Sequence, residues 1–401
     1  MNTLKLKAED PILDKEYDKS VFEESNFIEN LQSILTNNIA PPYSISLNGN
    51  WGIGKTTILK TLEYELMKDN KFEVLWFNPW EYERSNDVVL VLLQQLSNLA
   101  KSKYADILKS LSIFGTALLA GAVDTAARFI TQGNLSFENI QKIHELVEKE
   151  SLNKYDSYSS FVDEIKEDFK KLTNQISKKK EGNPLIIILD DLDRCLPENA
   201  LELIESLKNI FIIPDAKVIF IAGIDTNIAK RFIQSKYNKL PEEFAYNYFK
   251  KVFNSTINVP YFNELQIENL VNNEISKGLI ASISDEEKVY ISKAFISVEL
   301  KSLRSVHNIF SNMFLHKKLH VGCELNKNQL IILYLFKEVW QSEYDSFLVA
   351  CRKNLNEDIG RVIKESMGIE KLEENNPKLY QFITTYLTEL FNNTKSSQIF
   401  Y

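Results

Sequence analysis

Cysteine is scarce in this chain: Cys195, Cys323 and Cys351 are the three in 401 residues, far apart and odd in number. That excludes a disulfide framework and a paired-cysteine metal centre, and it suits a reducing, cytoplasmic setting. Histidine is nearly as rare, with four residues. Its one suggestive spacing, His316 and His320 at i, i+4, has lysines between the two and no acidic third ligand nearby, so it reads as a surface helix. Basic charge is also short. Lysine and arginine number 47 against 55 acidic residues, a net charge of −8, which argues against a strong nonspecific nucleic-acid binder. The first twenty residues contain no apolar stretch and acquire acidic residues early, so they do not read as a secretory signal. Long hydrophobic runs are missing too. Leu111–Val123 is shorter than the roughly 20 residues that cross a bilayer. Extending it to Ile130 admits Asp124 and Arg128, which are costly at a membrane centre and stand i, i+4, where they can pair on one helix face. A buried or partner-facing helix is favoured there over membrane contact through 111–130.

What remains is the composition of an ordinary globular protein, 44% hydrophobic and 25% charged, in a chain long for one core. Glycine is sparse at twelve residues. Three of those twelve fall in Gly49-Asn50-Trp51-Gly52-Ile53-Gly54-Lys55-Thr56, which fits G-x-x-x-x-G-K-[ST]. The setting fits as well. Tyr43–Leu47 alternates as a buried strand does, and helix-forming sequence from Thr57 follows. Strand, glycine loop and helix in that order aim backbone N–H groups and a positive helix end at phosphate oxygens. Lys55 is placed to reach the β- and γ-phosphates and the Thr56 hydroxyl to ligate Mg²⁺.

Other strands are expected at Phe72–Phe77, closed by Asn78-Pro79-Trp80, and at Leu185–Leu189, Lys217–Ala222 and Ser255–Val259. Helical periodicity appears at Ser25–Leu35, from about Asp87, and through most of the chain beyond Pro260. Ser284 reads as a helix start and Asn376-Pro377 as a break. Strands alternating with helices imply a parallel sheet covered on both faces. The stretch from about 97 to 180 is longer than a crossover needs, so it is read as a helical insertion. The expected division is 1–96 and 181–260 for the two parts of the core, 97–180 for the insertion and 261–401 for a helical C-terminal domain.

A second motif, Leu189-Asp190-Asp191-Leu192-Asp193-Arg194, follows the isoleucine run. A carboxylate at the tip of a buried strand beside a phosphate loop is where Mg²⁺ needs an anionic anchor, and Asp190 is the choice. Alternation along the strand would point Asp191 elsewhere, toward an attacking water. Asp193 has two open readings, a role at the site or a helix cap.

At this point the chain resembles the KAP family of P-loop NTPases. The resemblance rests on GNWGIGKTT at Gly49–Thr57, WFNPWEY at Trp76–Tyr82 and LIIILDDLDRC at Leu185–Cys195. It continues through VIFIAGID at Val218–Asp225 and, weakly, LKSLRSVHNIF at Leu300–Phe310. It implies an α/β core with strand order 5-1-4-3-2, flanking helices and a helical region after it. It also implies ATP and Mg²⁺ as cofactors, the loop Gly49–Thr57 as the nucleotide cradle, and Thr56 with Asp190 on the metal. Asp191 becomes the group that polarises water, and Arg194 and Arg304 the arginines that stabilise transferring phosphate. Asp225 falls near a γ-phosphate sensor position, with an N-cap the alternative there. Asp10-Pro11-Ile12 resembles the family's approach to the base. No Asn/Thr-Lys-x-Asp guanine motif follows the second nucleotide motif, which favours ATP over GTP. Many members carry membrane helices between the nucleotide motifs; this chain has one short, charge-flanked apolar segment instead.

The function expected is Mg-dependent ATP hydrolysis that drives or gates a protein assembly. A nucleotide-gated switch with little turnover and a membrane-tethered signalling ATPase stay open as alternatives. The composition, low in alanine and rich in Asn, Ile, Lys and Ser, has a bacterial character, and KAP-like bacterial proteins of this kind are associated with defence against phage. The acidic charge and helical tail point to a protein partner, an effector or self-assembly into a homo-oligomer.

Overall fold

The structure is a computed structural model, and it describes residues 27–68, 70–84, 88–108, 158–260, 262–276, 283–300, 302–319, 324–366 and 368–399. The segment 111–130, Asp10-Pro11-Ile12, Cys323 and His320 lie outside them. Five strands form one fully parallel sheet: β1 (Tyr43–Asn48), β2 (Glu73–Phe77), β3 (Leu185–Leu189), β4 (Val218–Ile224) and β5 (Ser255–Asn258). Their order across the sheet is β2-β3-β4-β1-β5, which is the expected 5-1-4-3-2 read from the other edge. Register is tight: Ile187 sits opposite Leu75 on one side and Phe220 on the other, and Ile45 opposite Ile221.

Helices cover both faces because the strands are apolar on both. On one face, Ile186 and Ile188 of β3, Ile219 and Ile221 of β4, and Ile45 and Leu47 of β1 pack on two helices. These are α1 (Phe27–Asn37) and α2 (Lys55–Lys68), which contribute Leu31, Leu35, Ile58, Leu59 and Leu62. On the other face, Leu185, Ile187, Leu189, Val218 and Phe220 meet a larger helical layer. That layer holds α3 (Val88–Lys103), α4 (Tyr158–Lys179), α5 (Pro197–Ser206), α6 (Thr226–Lys236) and α7 (Glu242–Val252). β1 presents serines to this side: Ser44 Oγ donates to the Val252 carbonyl at 2.6 Å and Ser46 Oγ to Thr256 Oγ1 at 2.8 Å, so neither hydroxyl is stranded in the interior.

The sequence stretch read as an insertion is joined to the core at both described flanks. The boundary at residue 97 falls inside α3, and Leu96, Ala100, Phe169, Leu172 and Ile176 share one hydrophobic cluster with β3 and β4. The physical clasp is Glu73, the first residue of β2, buried at 2% exposure. Its carboxylate takes Lys103 at 2.5 Å and the Tyr104 hydroxyl at 2.6 Å from near the start of that stretch, and Lys180 at 3.4 Å from its last residue. Burial alone pushes its proton affinity upward, but the bonds from Lys103 and Tyr104 and the charges of Lys103 and Lys180 outweigh it and hold Glu73 ionised.

Beyond β5 the chain is helical: α8 (Glu264–Glu274), α9 (Asp285–Ser297), α10 (Leu303–Leu319), α11 (Lys327–Val339) and further helices to Leu390. Ser284 starts α9 by a capping box with Glu287, and Asn263 and Asn326 start α8 and α11 in the same way with Gln266 and Gln329. Asn376 caps the helix that opens at Pro377. A separate core of Val271, Phe295, Phe310, Phe336, Phe347 and Phe382 holds these helices together. His316 is not a free surface residue: its Nδ1 meets Tyr334 Oη at 3.0 Å. No helix among the described residues is long and apolar enough to cross a membrane.

Replacing Glu73 by Ala leaves Lys180 and the Tyr104 hydroxyl without their buried acceptor. It is expected to cost about 3 kcal/mol in denaturant unfolding at pH 7, and Glu73→Gln, which keeps an acceptor, distinctly less. Since the folded carboxyl binds its proton more weakly than the unfolded one, this stability is present above the ordinary value of 4.5 and lost as pH falls through the lowered folded value. The gap between wild type and Glu73→Ala is therefore expected to close in strongly acidic titrations.

Candidate nucleotide site

Among the described residues, every group expected at the site except Arg304 follows the carboxyl end of one of three neighbouring strands, where loops leave the sheet on the same side. β1 delivers the glycine loop, β3 the carboxylates and β4 the Asp225 turn. In the loop, Gly52 and Gly54 stand at φ +81° and +105°, a region that favours glycine. A methyl on Gly49 would meet Ile53 Cγ2 at 2.7 Å, and one on Gly52 would meet Ser302 Oγ at 2.2 Å. Two of the motif glycines are thus fixed by close packing, one of them against the segment leading into α10. Trp51 is 65% exposed beside them, and Asn50 accepts the Ile53 N–H through its carbonyl at 3.3 Å. Gly54 O accepts from Ile58 N at 2.9 Å as α2 begins, with Thr56 and Thr57 in its first turn.

Lys55 is 8% exposed, its ammonium turned back over the loop. It donates to the Gly49 carbonyl at 2.7 Å and pairs with Asp193 at 3.3 Å. Both readings left open for Asp193 find a contact, one to the loop lysine and one to a helix start. The same Oδ2 accepts the Asp225 backbone N–H at 2.9 Å, so one carboxylate ties the lysine to the start of α6. Asp225 itself is an N-cap, accepting from Asn227 N at 2.9 Å, in line with the alternative to a sensor role. From the sheet, Asn48 reaches the same helix start: its Oδ1 accepts from Thr226 N at 3.0 Å and its Nδ2 donates to Asn258.

β3 ends at Leu189, so strand alternation does not separate Asp190 from Asp191. A left-handed turn does: Asp191 stands at φ 57°, ψ 27°, and the chain then enters a 3₁₀ turn, Leu192–Arg194. Asp190 is 2% exposed, faces the Thr56 hydroxyl, and its Oδ1 has no hydrogen-bond partner. Burial, and then the neighbouring Asp191 charge, push it up to about 6 from an ordinary 3.8. β4 lies between β3 and β1, so the Asp190 carboxylate must pass over it to reach Thr56. Gly223 opens that path: a methyl there would stand 3.1 Å from Asp190 Oδ1 and 2.8 Å from Leu59 Cδ1. Asp191 binds Arg194 Nη2 at 3.0 Å and accepts from Asn78 Nδ2 at 3.4 Å. Burial raises it too, against the lowering charge of Arg194.

The two candidate arginines meet at the loop. Arg194 Cζ lies over the Trp51 ring at 5.6 Å and over Trp80 at 5.3 Å, while Arg304 Cζ from α10 lies over Trp51 at 5.8 Å. The residues singled out from the sequence, from Gly49 to Thr57 with Asp190, Asp191, Arg194 and Arg304, are thus gathered around one mouth. Sequence reasoning passed over Asn48, Asn78 and Gly223, and left Asp193 undecided. For Gly223 a signal existed, a glycine interrupting an otherwise apolar buried strand.

The donor set suits a hard divalent cation: a buried carboxylate oxygen lacking a partner beside a hydroxyl. Among the described residues no group of three or more His, Cys, Asp or Glu is assembled to hold a metal unaided, so such an ion would share its remaining ligands with phosphate and water.

Among known proteins, an uncharacterized protein of Methanocaldococcus jannaschii is 28% identical over 168 residues, covering 35% of this chain and 86% of that protein. Among solved structures, the Aeropyrum pernix ORC2 protein is similar with a TM-score of 0.38 and 12% identity, covering 93% of this chain and 90% of that one. Domain III of the Thermotoga maritima replication initiation protein DnaA is similar with a TM-score of 0.33 and 10% identity, covering 82% and 95%. The model of the KAP family P-loop domain matches residues 24–314, from before α1 to well inside α10, so it takes in all three strand ends and both arginines described above, and the chain belongs to this family of P-loop NTPases.

Proposed function

We propose that the protein binds ATP with Mg²⁺ at this mouth and hydrolyses it, and that turnover is coupled to the helical region and through it to a protein assembly. The observation that carries the reading is the pairing of Lys55 with Asp193 beside an Asp190 oxygen that has no protein partner. A buried ammonium held by carbonyls and one carboxylate is a cation ready to exchange those acceptors for phosphate oxygens. Bound there, Mg²⁺ would neutralise phosphate charge, held on the protein side by Thr56 and Asp190. Asp191 orients the attacking water and accepts its proton, and Lys55 and Arg194 offset charge on the phosphates. Ser302 and Arg304 pack on Gly52 and Trp51, which supports coupling between the loop and the helical region.

A second reading has its own observation. Arg194 and Asn78 both engage the Asp191 carboxylate, which lowers its availability as a base. A chain that binds ATP tightly and turns it over only when that pairing is loosened by a partner would act as a nucleotide-gated switch.

Calorimetry of the purified chain tests binding: Mg-dependent uptake of ATP is expected, and Lys55→Ala is expected to weaken it by about 100-fold or more. Asp191→Asn should keep that affinity and lower phosphate release by about 100-fold or more, and equal rates in the two proteins would remove Asp191 from catalysis.

The Asp190 carboxyl gives a prediction with opposite signs in two assays. Below its ordinary value of 3.8 the group is protonated whether folded or unfolded and costs nothing. As pH rises toward about 6 the unfolded chain releases the proton and the folded one retains it, so stability falls, and the cost is complete above that value. Asp190→Asn is therefore expected to stabilise the nucleotide-free protein by about 1–3 kcal/mol at pH 7.5, with no gain at pH 3.5. The same variant is expected to lose the tightening of ATP binding by Mg²⁺, which in wild type strengthens as pH rises through about 6.

A further inference from the structure

We infer that Trp51 and Trp80 are positioning residues that hold the Arg194 guanidinium between Asp191 and the transferring phosphate, an inference that rests on the hydrolysis reading above. The chain has four tryptophans, and these two stand at the nucleotide mouth with 65% and 47% of their surface exposed. Large aromatic area left in water needs a reason, and packing against a core does not supply it here. The neighbour both rings share is Arg194, whose Cζ stands 5.6 Å from one ring centre and 5.3 Å from the other.

The chemistry of guanidinium makes this arrangement useful. Its positive charge is attracted over aromatic rings, while all five of its N–H donors lie in its own plane. Attraction to the rings therefore consumes none of the donors. Nη2 uses one on Asp191 at 3.0 Å, and the others are left for a planar or tetrahedral oxyanion. Without the rings, a flexible arginine three residues from Asp191, with Asp193 between them, has two carboxylates competing for it.

Each ring is itself fixed by the site. Trp51 stands between the loop residues Asn50 and Gly52, with Arg304 over it at 5.8 Å and Ser302 against Gly52. Trp80 has its backbone N–H bonded to Asn78 Oδ1 at 3.1 Å, and the Nδ2 of the same Asn78 donates to Asp191. A closed circuit results, from Asp191 to Arg194 to Trp80 to Asn78 and back to Asp191. Movement of α10 would reach Arg194 through Arg304 and Trp51 without either group touching Asp191.

The test uses the full chain with Trp80→Ala, Trp80→Phe and Trp51→Ala, alone and with Arg194→Ala. ATP affinity with Mg²⁺ is read by calorimetry and hydrolysis by single turnover with enzyme in excess, followed for hours. Both Ala variants are expected to slow the single-turnover rate by about tenfold or more, and in Trp80→Ala, which lies outside the loop, the ATP dissociation constant is expected to stay within about threefold. Trp80→Phe, which keeps a ring face, is expected to recover most of the rate. In the Arg194→Ala background, Trp80→Ala should add nothing further, because the ring acts only through the arginine. Unchanged rates in the Ala variants, an equal loss in both backgrounds, a loss that appears in affinity alone, or a wild type that binds ATP without turning it over would each overturn the inference. Failure of the wild-type chain to bind nucleotide at all is a separate result; it removes the hydrolysis reading, and this inference with it.

Discussion

Three carboxylates within four residues, set at the end of a strand with no exposed residue, are the constraint around which the rest of the site is arranged. Asp190, Asp191 and Asp193 cannot share one countercharge at such close quarters, and burial makes Asp190 and Asp191 costly to ionise. Each is given a different neighbour. Asp193 takes Lys55, Asp191 takes Arg194 and Asn78, and Asp190 keeps an oxygen without a protein partner beside Thr56. The division is made by backbone geometry, since a left-handed residue at Asp191 turns the three side chains in separate directions.

That division has a thermodynamic consequence. A buried carboxylate with one oxygen unpartnered is a loss for the fold and would be a reserve of binding free energy for a cation, because desolvation has already been met in folding. The hydrophobic sheet underwrites it. Ile186, Ile187, Ile188, Ile219, Phe220 and Ile221 are all fully buried, a core broad enough to tolerate one strained carboxyl at its rim. Gly223 shows the steric side of the same arrangement, where the middle strand gives up a side chain so that a neighbour's carboxylate can cross it.

A second theme is attachment. The sequence between the nucleotide motifs looks from its length like an appendage, yet its flanks are core. Leu96 and Ala100 on one side and Phe169 and Ile176 on the other pack beneath the sheet, and Glu73 gathers Lys103, Tyr104 and Lys180 at the edge strand. The helical region after β5 is attached at the opposite end of the strands, where Ser302 and Arg304 lie on the glycine loop. A region outside the sheet thereby reaches the glycine-loop side of the molecule directly.

Much was legible in the residues themselves. Period and composition identified β3 without error at Leu185–Leu189 and the other strands to within a residue or two, because buried parallel strands are short apolar runs bounded by turns. The glycine loop was legible because few sequences other than a phosphate cradle need glycine at those offsets followed by Lys55 and Thr56. Strand order was not readable from periodicity; it came with the family resemblance, and the sheet has it. What only the tertiary structure decided is who pairs with whom. Asp193 with Lys55, Asn78 with Asp191, and Arg194 with two tryptophans are contacts between segments as much as 143 positions apart, as Trp51 and Arg194 are. A local pattern fixes which way a side chain points along its own element. The partner it meets there depends on how the strands are ordered and where each one stops, and those are properties of the assembled sheet.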